Sequence, residues 1–462
     1  MHKEKIPIKV FAAIFATGIL SFCGVIIETS MNISFPTLMK QFNISTNVVS
    51  WMTSIYLLAI SIIVPLSANL KASFKTKNLF IVANILFLIG VLIDALAPSF
   101  GLLLLGRVIE GIGTGISLPL MFNIIMEQVP QSRVGTMMGV GNMITGIAPA
   151  VGPVFGGIIV TSLGWRWIFL ILIPIVFISL LLGIWGIEQK SKLHKAKFDA
   201  LSIIFVAIFF IGMIYGFSNL SSYNFISIQV LGAIIAGLLG LGMLIWRSHG
   251  LENPILNLSL FKSASFSAHT LSFFMIQVIS LGNAFLLPNF IQLVNGNTAL
   301  IAGLIVLPAG FAGAVMGPIG GKVYDEMGAR RPILIGLTFM VASMLIFSLI
   351  SLHMSNLIIL FVYILYMGGM GTTLGIIMTD TLEPLNKFEV PQGNAILNTA
   401  QQFAGAVGTS LTSAIVAFSQ AATHSKSALS TAQGTQYSYI FLTILAIIIF
   451  VLMFKYTKKK EH

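Results

Sequence analysis

Long apolar runs, separated by short polar or glycine- and proline-containing breaks, extend along this chain from end to end. A membrane-spanning helix needs about 20 predominantly apolar residues, and most of these runs reach that length. The pattern therefore predicts an all-α polytopic membrane protein with fourteen spanning helices. We place them at about 10–39, 47–70, 78–98, 101–126, 134–162, 165–187, 198–220, 227–247, 265–294, 299–323, 331–352, 356–380, 391–420 and 436–456.

The composition supports this prediction and narrows the class of protein. Of the 462 residues, 56% are hydrophobic and 8% are charged, whereas soluble domains carry about a quarter charged residues. The first apolar run follows three lysines, as in a signal peptide. It is much longer than an ordinary h-region, however, and no small-residue cleavage site leads into a polar domain. We interpret it as the first span. The single cysteine, Cys23, excludes a disulfide scaffold and a zinc site of paired thiols.

The basic residues indicate the orientation of the chain. Its formal charge of +11 would suit a nucleic-acid-binding protein, so the placement of the charges decides the matter. All but four of the 25 Lys and Arg residues fall on one side of the predicted helices; the exceptions are Lys40, Arg166, Lys426 and the intrahelical Arg107. Basic loops stay in the cytoplasm. We therefore expect both termini to be cytoplasmic, and the charge requires no nucleic acid.

A weak internal repeat predicts two halves. The pattern Gly152-Pro153-x-x-Gly156-Gly157 in the fifth helix recurs as Gly317-Pro318-x-Gly320-Gly321 in the tenth, and the long charged connection 188–197 lies between them. Repeated halves are typical of secondary transporters, whose substrate site lies between the halves. We predict an N-terminal six-helix bundle at 1–188, a cytoplasmic linker with two inserted helices at 189–260, and a C-terminal six-helix bundle at 261–462.

Ionisable residues inside the predicted spans are rare and are therefore candidates for function. Glu28, Arg107 and Glu110 lie well inside, whereas Asp94 and Asp380 lie near helix ends. A shielded carboxylate on the first helix would suit proton coupling or cation binding. The alternative is that Glu28 is a structural partner of Arg107. Glu110 is three residues from Arg107 on one helical face, so these two residues can also pair with each other.

Other intramembrane residues suggest packing and binding surfaces. The small residues of the fifth helix, which include Gly139 and Gly146, let helices approach closely. They would serve tight packing, a moving contact between halves, or both. Amides on the ninth and thirteenth helices would line a wet cavity or form interhelical hydrogen bonds, and Tyr56 and the 21 Met would suit an adaptable apolar binding surface. The candidate substrate-binding residues from these sets are Tyr56, Gln277, Asn283, Asn398 and Gln401.

The sequence shows no catalytic or nucleotide-binding constellation. The seven His residues lack metal-ligand spacing, and there is no P-loop or glycine-flanked serine elbow. We therefore expect neither an enzyme nor a bound metal or cofactor, and an ion gradient must supply the energy. A passive channel is the other rival, but the chain lacks the repeated rings of a selectivity filter.

These motifs resemble the major facilitator superfamily, specifically its fourteen-helix drug:proton antiporters of the EmrB/QacA type. The glycine and proline pattern of the fifth helix resembles the family's antiporter motif. The segment 107–113 resembles its Arg-x-x-Gln-Gly-x-Gly motif, with Glu110 in place of the usual Gln. The resemblance covers nearly the whole chain. It implies the major facilitator fold, with two six-helix bundles plus two inserted helices, and gating roles for Gly152, Pro153, Gly156 and Gly157.

The first helix is similar to the lincomycin-resistance branch of this family. Thr29, Asn32 and Pro36 keep the register of the family's Asp-x-Thr, Asn and Pro pattern, but Ile27 occupies the Asp position and the acid stands one residue later, at Glu28. The segment 398–402, Asn-Thr-Ala-Gln-Gln, is also similar to that branch. The resemblance implies that Glu28 is the proton-coupling acid. We keep Arg107 and Glu110 as further proton-coupling candidates, with Glu110 either coupled or structural, and we add Thr29 and Asn32 to the substrate-binding candidates.

The segment 321–331 resembles the cytoplasmic gating loop of the second half, which implies gating roles for Asp325, Gly328, Arg330 and Arg331. The equivalent loop of the first half departs from the family pattern, so we expect closure to be asymmetric. The resemblance implies a monomeric, proton-coupled multidrug efflux antiporter in the bacterial cell membrane. Its partners would be small amphipathic or cationic drugs, including lincosamides, dyes and fluoroquinolones, together with protons and the lipid bilayer. The alternative is an exporter of a physiological solute or lipid that carries drugs incidentally.

Overall fold

The computed structural model describes residues 6–44, 46–49, 51–191, 193, 199–220, 223–251, 254–297, 299–422 and 428–457. All regular secondary structure within these ranges is helical. The structure therefore confirms the predicted all-α architecture.

Six long helices form the first part of the chain. They are α1 (Ile8–Ile33), α2 (Trp51–Ile63, continued through a 3₁₀ turn at Val64–Leu66 into Ser67–Ser73), α3 (Thr76–Leu96), α4 (Phe100–Gln128), α5 (Val134–Ser162) and α6 (Arg166–Gly186). Two short helices, Phe35–Phe42 and Thr46–Val49, connect α1 to α2.

Eight further long helices follow. They are α7 (Ala200–Ser218), α8 (Ala233–His249, preceded by a π-helical turn at Ile228–Gly232), α9 (Ala264–Leu293), α10 (Ala299–Met327), α11 (Arg330–Ile350), α12 (Asn356–Leu382), α13 (Val390–Ala422) and α14 (Ala428–Tyr456). Single-turn 3₁₀ segments lie at Gln131–Arg133, Leu258–Lys262 and Ser351–His353. Connections of two to seven residues join α2 to α3, α3 to α4, α4 to α5, α5 to α6, α10 to α11 and α12 to α13.

Polar side chains fix where several helices begin. The hydroxyls of Ser99, Ser263 and Ser355 accept hydrogen bonds from the third residue of α4, α9 and α12, and Asp199 caps α7 in the same way. Such caps satisfy backbone N–H groups that have no partner inside the helix. The predicted first span, 10–39, is wrong in its boundary: α1 ends at Ile33, and a separate helix follows because Pro36 lacks the N–H needed to continue the hydrogen-bond ladder.

Thirteen of the long helices in the described ranges are long and apolar enough to cross a membrane. The exception is α13, which has 33 residues and is rich in amide and hydroxyl side chains, so its own composition does not identify it as a span. It nevertheless packs against α9 and α14 like its neighbours. The crossing of the membrane by α13, and with it the count of fourteen spans, stays a prediction.

The helices pack as two bundles. Helices α1 to α6 contact one another through pairs such as α1 with α5 and α3 with α4, and α9 to α14 do so through pairs such as α9 with α13 and α10 with α12. The largest contact between the bundles joins α5 to α10, and α5 also touches α12. The boundaries at 188 and 260 lie in connections between these groups and stay predictions.

The inserted helices α7 and α8 pack on each other and then on the seam between the bundles. Helix α7 contacts α2 on one side and α13 on the other. The rings of Trp51 on α2 and Tyr215 on α7 have centroids 6.2 Å apart, and the Phe403 ring on α13 lies among Phe209, Phe210 and Phe217 of α7. The inserted pair therefore contacts both bundles at once.

One end of the bundle carries a series of charged links, and we call it the basic face. It is the end at which α1 begins and α14 ends. Lys9 Nζ lies 2.8 Å from Glu188 after α6, and Arg330 at the start of α11 donates to the carbonyl of Thr457 after α14 at 2.9 Å. The Arg247 guanidinium, 3.0 Å from Asp199, holds the pKa of that carboxyl well below its usual range and ties α8 to α7.

Candidate functional site

Glu28 lies in the last two turns of α1, far from the basic face. It follows Ile8 by twenty positions, which places it roughly 30 Å along the helix at about 1.5 Å per residue. Its side chain is half-buried and makes no hydrogen bond or ion pair with any of the described residues. It lies within electrostatic range of Arg107 and Tyr56. Glu28 is therefore a carboxylate held inside the protein near a positive charge, without being neutralised by direct contact.

The glycine-rich face of α5 packs directly on α1 beside Glu28. A Cβ atom at Gly152 would overlap the Thr29 hydroxyl, and one at Gly156 would lie 2.6 Å from the Ser30 carbonyl oxygen. The Ser30 hydroxyl donates to the Gly152 carbonyl at 2.8 Å, while Thr29 donates to its own helix at Val25. Only glycine permits this separation between two helix backbones. The motif that resembles the antiporter motif thus fixes the position of the α1 segment that carries Glu28.

A second set of small residues on α5 faces the other bundle. Cβ atoms at Gly139 and Gly321 would overlap the backbones of Gly317 and Gly135, respectively, so α5 and α10 touch backbone to backbone near the basic face. Gly157 faces open space, because no heavy atom lies within 4 Å of the place that a Cβ atom would take, and Pro153 is half-buried. The fifth helix therefore serves two separate contacts, one within its bundle and one between bundles.

Arg107 is fully buried and connects α4 to α2. Its Nη1 donates to Glu110 one turn later, and its Nε donates to the Met52 carbonyl at 3.3 Å. The guanidinium also lies 4.0 Å from the centroid of the Tyr56 ring, a cation–π arrangement. Tyr56 in turn donates to the Thr114 hydroxyl at 3.1 Å. Of the two partners that the sequence suggested for Arg107, the structure makes the direct ion pair with Glu110.

This cluster reaches α1 through Tyr56. A Cβ atom at Gly24 would lie 2.6 Å from the Tyr56 hydroxyl and 2.8 Å from the Thr114 hydroxyl. Gly24 precedes Glu28 by four residues, so both lie on the same face of α1. The Arg107 cluster therefore packs against α1 one turn before Glu28.

Asp94 on α3 completes the buried cluster; the sequence made it a candidate for function but did not predict its partner. Asp94 and Glu110 are both 0% exposed and lie within hydrogen-bond range of each other. Both oxygens of Asp94 and one of Glu110 lack a hydrogen-bond donor. Two ionised carboxylates beside one guanidinium leave a buried net negative charge, which is costly, whereas a single proton on the pair makes the cluster neutral. Asp94 and Glu110 therefore form an acid pair that can hold one proton.

Glycines explain how these two acids meet. Gly90 and Gly106 stand four residues before Asp94 and Glu110, respectively, and Cβ atoms at either position would overlap the facing helix or its acid. The same spacing of glycine and acid on adjacent helices, together with Glu110 in place of the family's Gln, is the sequence signal that would have identified Asp94 as its partner.

The candidate substrate-binding residues do not form one surface. Asn283 is fully buried inside the second bundle, where its amide faces the Met344 sulfur at 3.8 Å. Asn398 donates to Asn394, one turn closer to the basic face, at 2.7 Å. Gln277 is buried and Gln401 is half-buried on their helices. Asn32 belongs to the last turn of α1, but its side chain lies outside the described part of the structure.

Polar contacts join the two bundles at the basic face. The Asp325 carboxylate accepts hydrogen bonds from the backbone N–H groups of Gly135 and Thr136, at 3.0 and 3.1 Å, and from the Thr136 hydroxyl at 2.6 Å. These N–H groups are the free donors at the start of α5, where the helix dipole also favours a negative charge. A carboxylate from one bundle thus caps a helix of the other.

Three further links close the same face. Gln131 donates to Glu383 at 3.0 Å, and Asn394 donates to the Asn123 side chain at 2.8 Å. Gln392 donates to Asn69 at 3.3 Å. Each link joins the first bundle to the second, so the structure is closed at the basic face. We call these three links, together with the Asp325 cap, the gate contacts.

The remaining predicted gating residues lie outside the gate contacts. Arg330 donates to the Thr457 carbonyl and lies 4.8 Å from the Phe454 ring, so it ties α11 to α14 rather than to Asp325. Arg331 is exposed. Gly328 has φ of +77°, a conformation that side chains disfavour, and forms the turn between α10 and α11. Asp325 itself belongs to the last turn of α10, not to a loop.

Comparisons with known proteins agree with this architecture. The profile of the family described as Major Facilitator Superfamily matches residues 17–409. The chain is 35% identical to the lincomycin resistance protein LmrB of Listeria monocytogenes serovar 1/2a over 428 residues, which are 93% of this chain and 89% of the relative. It is 34% identical to LmrB of Bacillus subtilis strain 168 over 451 residues, which are 95% and 94% of the two chains.

Solved structures show the same fold. The structure described as the proton:xylose symporter XylE bound to 6-bromo-6-deoxy-D-glucose matches with a TM-score of 0.70, over 98% of this chain and 96% of that one. The sequence identity is 15%, so this similarity speaks for the fold alone. It confirms the predicted major facilitator fold.

Proposed function

Because the chain belongs to the Major Facilitator Superfamily, we propose that it is a drug exporter of the fourteen-helix drug:proton antiporter type and that Glu28 couples export to proton entry. The name shared by the two LmrB relatives, which align over nearly the whole chain, supports lincosamides as one substrate class. The observation that carries the proposal is the Glu28 carboxylate. It is half-buried and near Arg107 without pairing to it, and it stands next to the contact of α1 with the glycines of α5.

The orientation of the protein follows from its basic residues. Loops rich in Lys and Arg stay in the cytoplasm, so we assign the basic face to the cytoplasmic side of a bacterial cell membrane. The gate contacts then close the protein towards the cytoplasm, and Glu28 lies in the outer half. A proton reaches Glu28 from outside in this state and leaves it on the inner side once the gate contacts have opened.

The coupling follows from the charges near Glu28. Protonation removes the attraction between the Glu28 carboxylate and the Arg107 guanidinium, and it lowers the cost of keeping Glu28 away from water. A cationic or polarisable drug that approaches the same region favours the ionised form. Proton and drug therefore compete, as antiport requires. For an uncharged drug exchanged against one proton, 100 mV supplies about 2.3 kcal/mol, which is enough to drive about fifty-fold accumulation. A monocationic drug exchanged one for one moves no net charge, so its export draws on the pH difference alone.

The Arg107 cluster supports this role. A fully buried guanidinium held by Glu110, Met52 and Tyr56 is a fixed positive charge close to Glu28. The proton shared by Asp94 and Glu110 keeps this cluster neutral. We assign the cluster the task of tuning the protonation of Glu28, while the protein works as a monomer and uses the proton gradient in place of a cofactor.

Drug accumulation in cells tests the proposal. Bacteria lacking their major drug exporters express the wild-type chain, Glu28→Gln or Glu28→Asp. The matched control is Glu188→Gln, which also removes one carboxylate, at an exposed side chain after α6. We expect energised efflux of lincomycin and ethidium by the wild type and the control, partial efflux by Glu28→Asp, and none by Glu28→Gln at equal membrane levels. Normal efflux by Glu28→Gln would remove this residue from the mechanism. Failure of the wild type with every drug would favour a physiological solute or lipid as substrate.

A further inference from the structure

His269 and Asp380 form an isolated acid–base pair in the second bundle, close to the basic face. His269 lies in the second turn of α9, and Asp380 lies two residues before the end of α12. The His269 Nε2 atom is 2.8 Å from the Asp380 Oδ2 atom. The imidazole is 1% exposed and the carboxylate is 25% exposed. The histidine is therefore shielded from solvent, whereas the aspartate is partly accessible to it.

The hydrogen bonds of the ring fix the number of protons at this pair. The Nδ1 atom lies 2.8 Å from the Ser265 backbone carbonyl oxygen. The Ser265 hydroxyl is farther from Nδ1, at 3.5 Å, and a carbonyl only accepts, so the shorter contact assigns a hydrogen to Nδ1. A neutral imidazole would then present the lone pair of Nε2 to the carboxylate at 2.8 Å, which is repulsive. A second proton must lie on the Nε2–Oδ2 contact, so that either an imidazolium faces a carboxylate or a neutral imidazole accepts from a carboxylic acid.

We propose that His269 and Asp380 form a proton-binding site of the second bundle, separate from Glu28, that exchanges its proton through the partly exposed Asp380 carboxylate. Hydrogen-bond geometry and burial alone identify the site, and it does not depend on drug transport. Only its assignment to the cytoplasmic side rests on the orientation proposed above.

The surrounding charges indicate what loss of this proton does. Glu383 follows Asp380 by one turn and accepts from Tyr324 and from Gln131 of the first bundle. Deprotonation changes the net charge of the His269–Asp380 pair from zero to −1, next to this link. The other titratable groups at this end of the helices packed around α9 are Lys322, Tyr324, Asp325 and Glu326 on α10, Lys262 before α9, Lys387 and Glu389 before α13, and Lys455 and Tyr456 on α14; α13 itself has none.

Loss of the proton from the His269–Asp380 site therefore weakens the gate contacts. The added negative charge repels Glu383, which is one of the residues that hold the bundles together. A bound proton favours the closed gate, and its release to the cytoplasm favours opening. The proton is thus held in the state that the structure shows and lost in the state that admits substrate from the cytoplasm.

Nitrogen-15 NMR of histidine-labelled protein in lipid nanodiscs tests the site directly. His249 on α8 is the matched reference, because its Nδ1 also lies 2.8 Å from the carbonyl four residues earlier, but its ring is exposed and meets no carboxylate among the described residues. The His269 signal is assigned by its absence in His269→Gln. At pH 7 we expect a proton on the Nε2 side of His269, seen as a strongly hydrogen-bonded N–H or N···H–O signal, and its loss in Asp380→Asn. A wild-type His269 ring with a free Nε2 lone pair would overturn the proposal.

A distance measurement tests the link to the gate. The single cysteine, Cys23, is buried and is replaced by alanine. Ser132→Cys and Lys387→Cys are then introduced for spin labelling, because both positions are exposed and they lie on opposite bundles. We expect the separation of the labels to increase between pH 6 and pH 8.5, and His269→Gln, which cannot titrate, to abolish that pH dependence while the control His249→Gln preserves it. An unchanged pH response in His269→Gln, or none in the wild type, would contradict the link to the gate. Both readouts are independent of drug transport, so failure of this site and failure of the proposed function are distinguishable.

Discussion

The Asp325 cap on α5 gives a quantitative prediction about the gate. In Asp325→Asn the side chain keeps its size and one carbonyl oxygen but loses its charge. The carboxylate accepts three hydrogen bonds from the other bundle, at 2.6 to 3.1 Å. A hydrogen bond to a charged group contributes about 1.5–3 kcal/mol, against about 0.5–1.5 kcal/mol for a neutral one.

The expected loss follows from these contacts. About 1 kcal/mol disappears for each of the two backbone N–H bonds when the charge is removed, whereas the Thr136 hydroxyl can turn and accept from the new amide. Up to about 1 kcal/mol of helix-dipole interaction is lost as well. The closed state therefore loses about 2–3 kcal/mol, which favours the open gate by about 30- to 150-fold. Thr136→Val removes only the hydroxyl donor, so we expect a smaller shift of about ten-fold, and the double variant should fall short of the sum because both changes affect one contact.

The spin-label pair at positions 132 and 387 measures this equilibrium. We expect Asp325→Asn to convert a mainly short distance distribution into a mainly long one, with Thr136→Val between it and the wild type. A distribution in Asp325→Asn identical to that of the wild type would refute the assignment of this carboxylate to closure. Glu326→Gln, which removes an exposed carboxylate at the next position, is the control for a general change of charge.

Three further predictions concern other parts of the structure. Gly152→Ala should abolish efflux and lower the free energy of unfolding by about 1–3 kcal/mol, because the added methyl group overpacks against α1. Gly157→Ala, at a position that faces open space, should change neither efflux nor thermal unfolding. Asp94→Asn and Glu110→Gln should each be tolerated, because either leaves one carboxylate for the buried arginine. The double variant should lose about 3–5 kcal/mol on thermal unfolding, and a purely additive double variant would contradict the shared cluster. Because the pKa of Asp199 is lowered, the contribution of its ionised carboxylate to stability is present above about pH 4 and is lost as the pH falls further. The difference in melting temperature between wild type and Asp199→Asn should therefore shrink below that pH. A difference that stays constant would refute a stabilising role of the Asp199 charge.

Much of the fold could be predicted because apolar length dictates where a helix can cross a membrane. The described structure has a long helix at each predicted span, and the errors lie at boundaries. Pro36 ends α1 early, and Pro65 places a 3₁₀ turn inside α2, because proline removes a backbone donor that hydropathy does not register. The tenth helix runs on to Met327 and thereby carries Asp325 within its last turn.

The candidate site was less accessible to prediction because it depends on which helix faces which. The pairing of Arg107 with Glu110 is local, at three residues' separation, and the sequence suggested it. The meeting of His269 with Asp380 depends on a contact across 111 positions that no local pattern encodes. The meeting of Asp94 with Glu110 has only an indirect signal in the sequence, the matching glycine–acid spacing on the two helices. The role of Arg330 as a link to α14 likewise follows only from the packed structure.

The central claim is that proton entry through Glu28 drives drug export, and proton movement in proteoliposomes tests it most directly. A pH-sensitive dye inside the vesicles reports proton flux under an imposed gradient when lincomycin or ethidium is added, for wild type, Glu28→Gln and Glu188→Gln reconstituted in equal amounts. We expect drug-dependent proton movement in the wild type and in Glu188→Gln, and none in Glu28→Gln. Drug-dependent proton movement that persists in Glu28→Gln would contradict it.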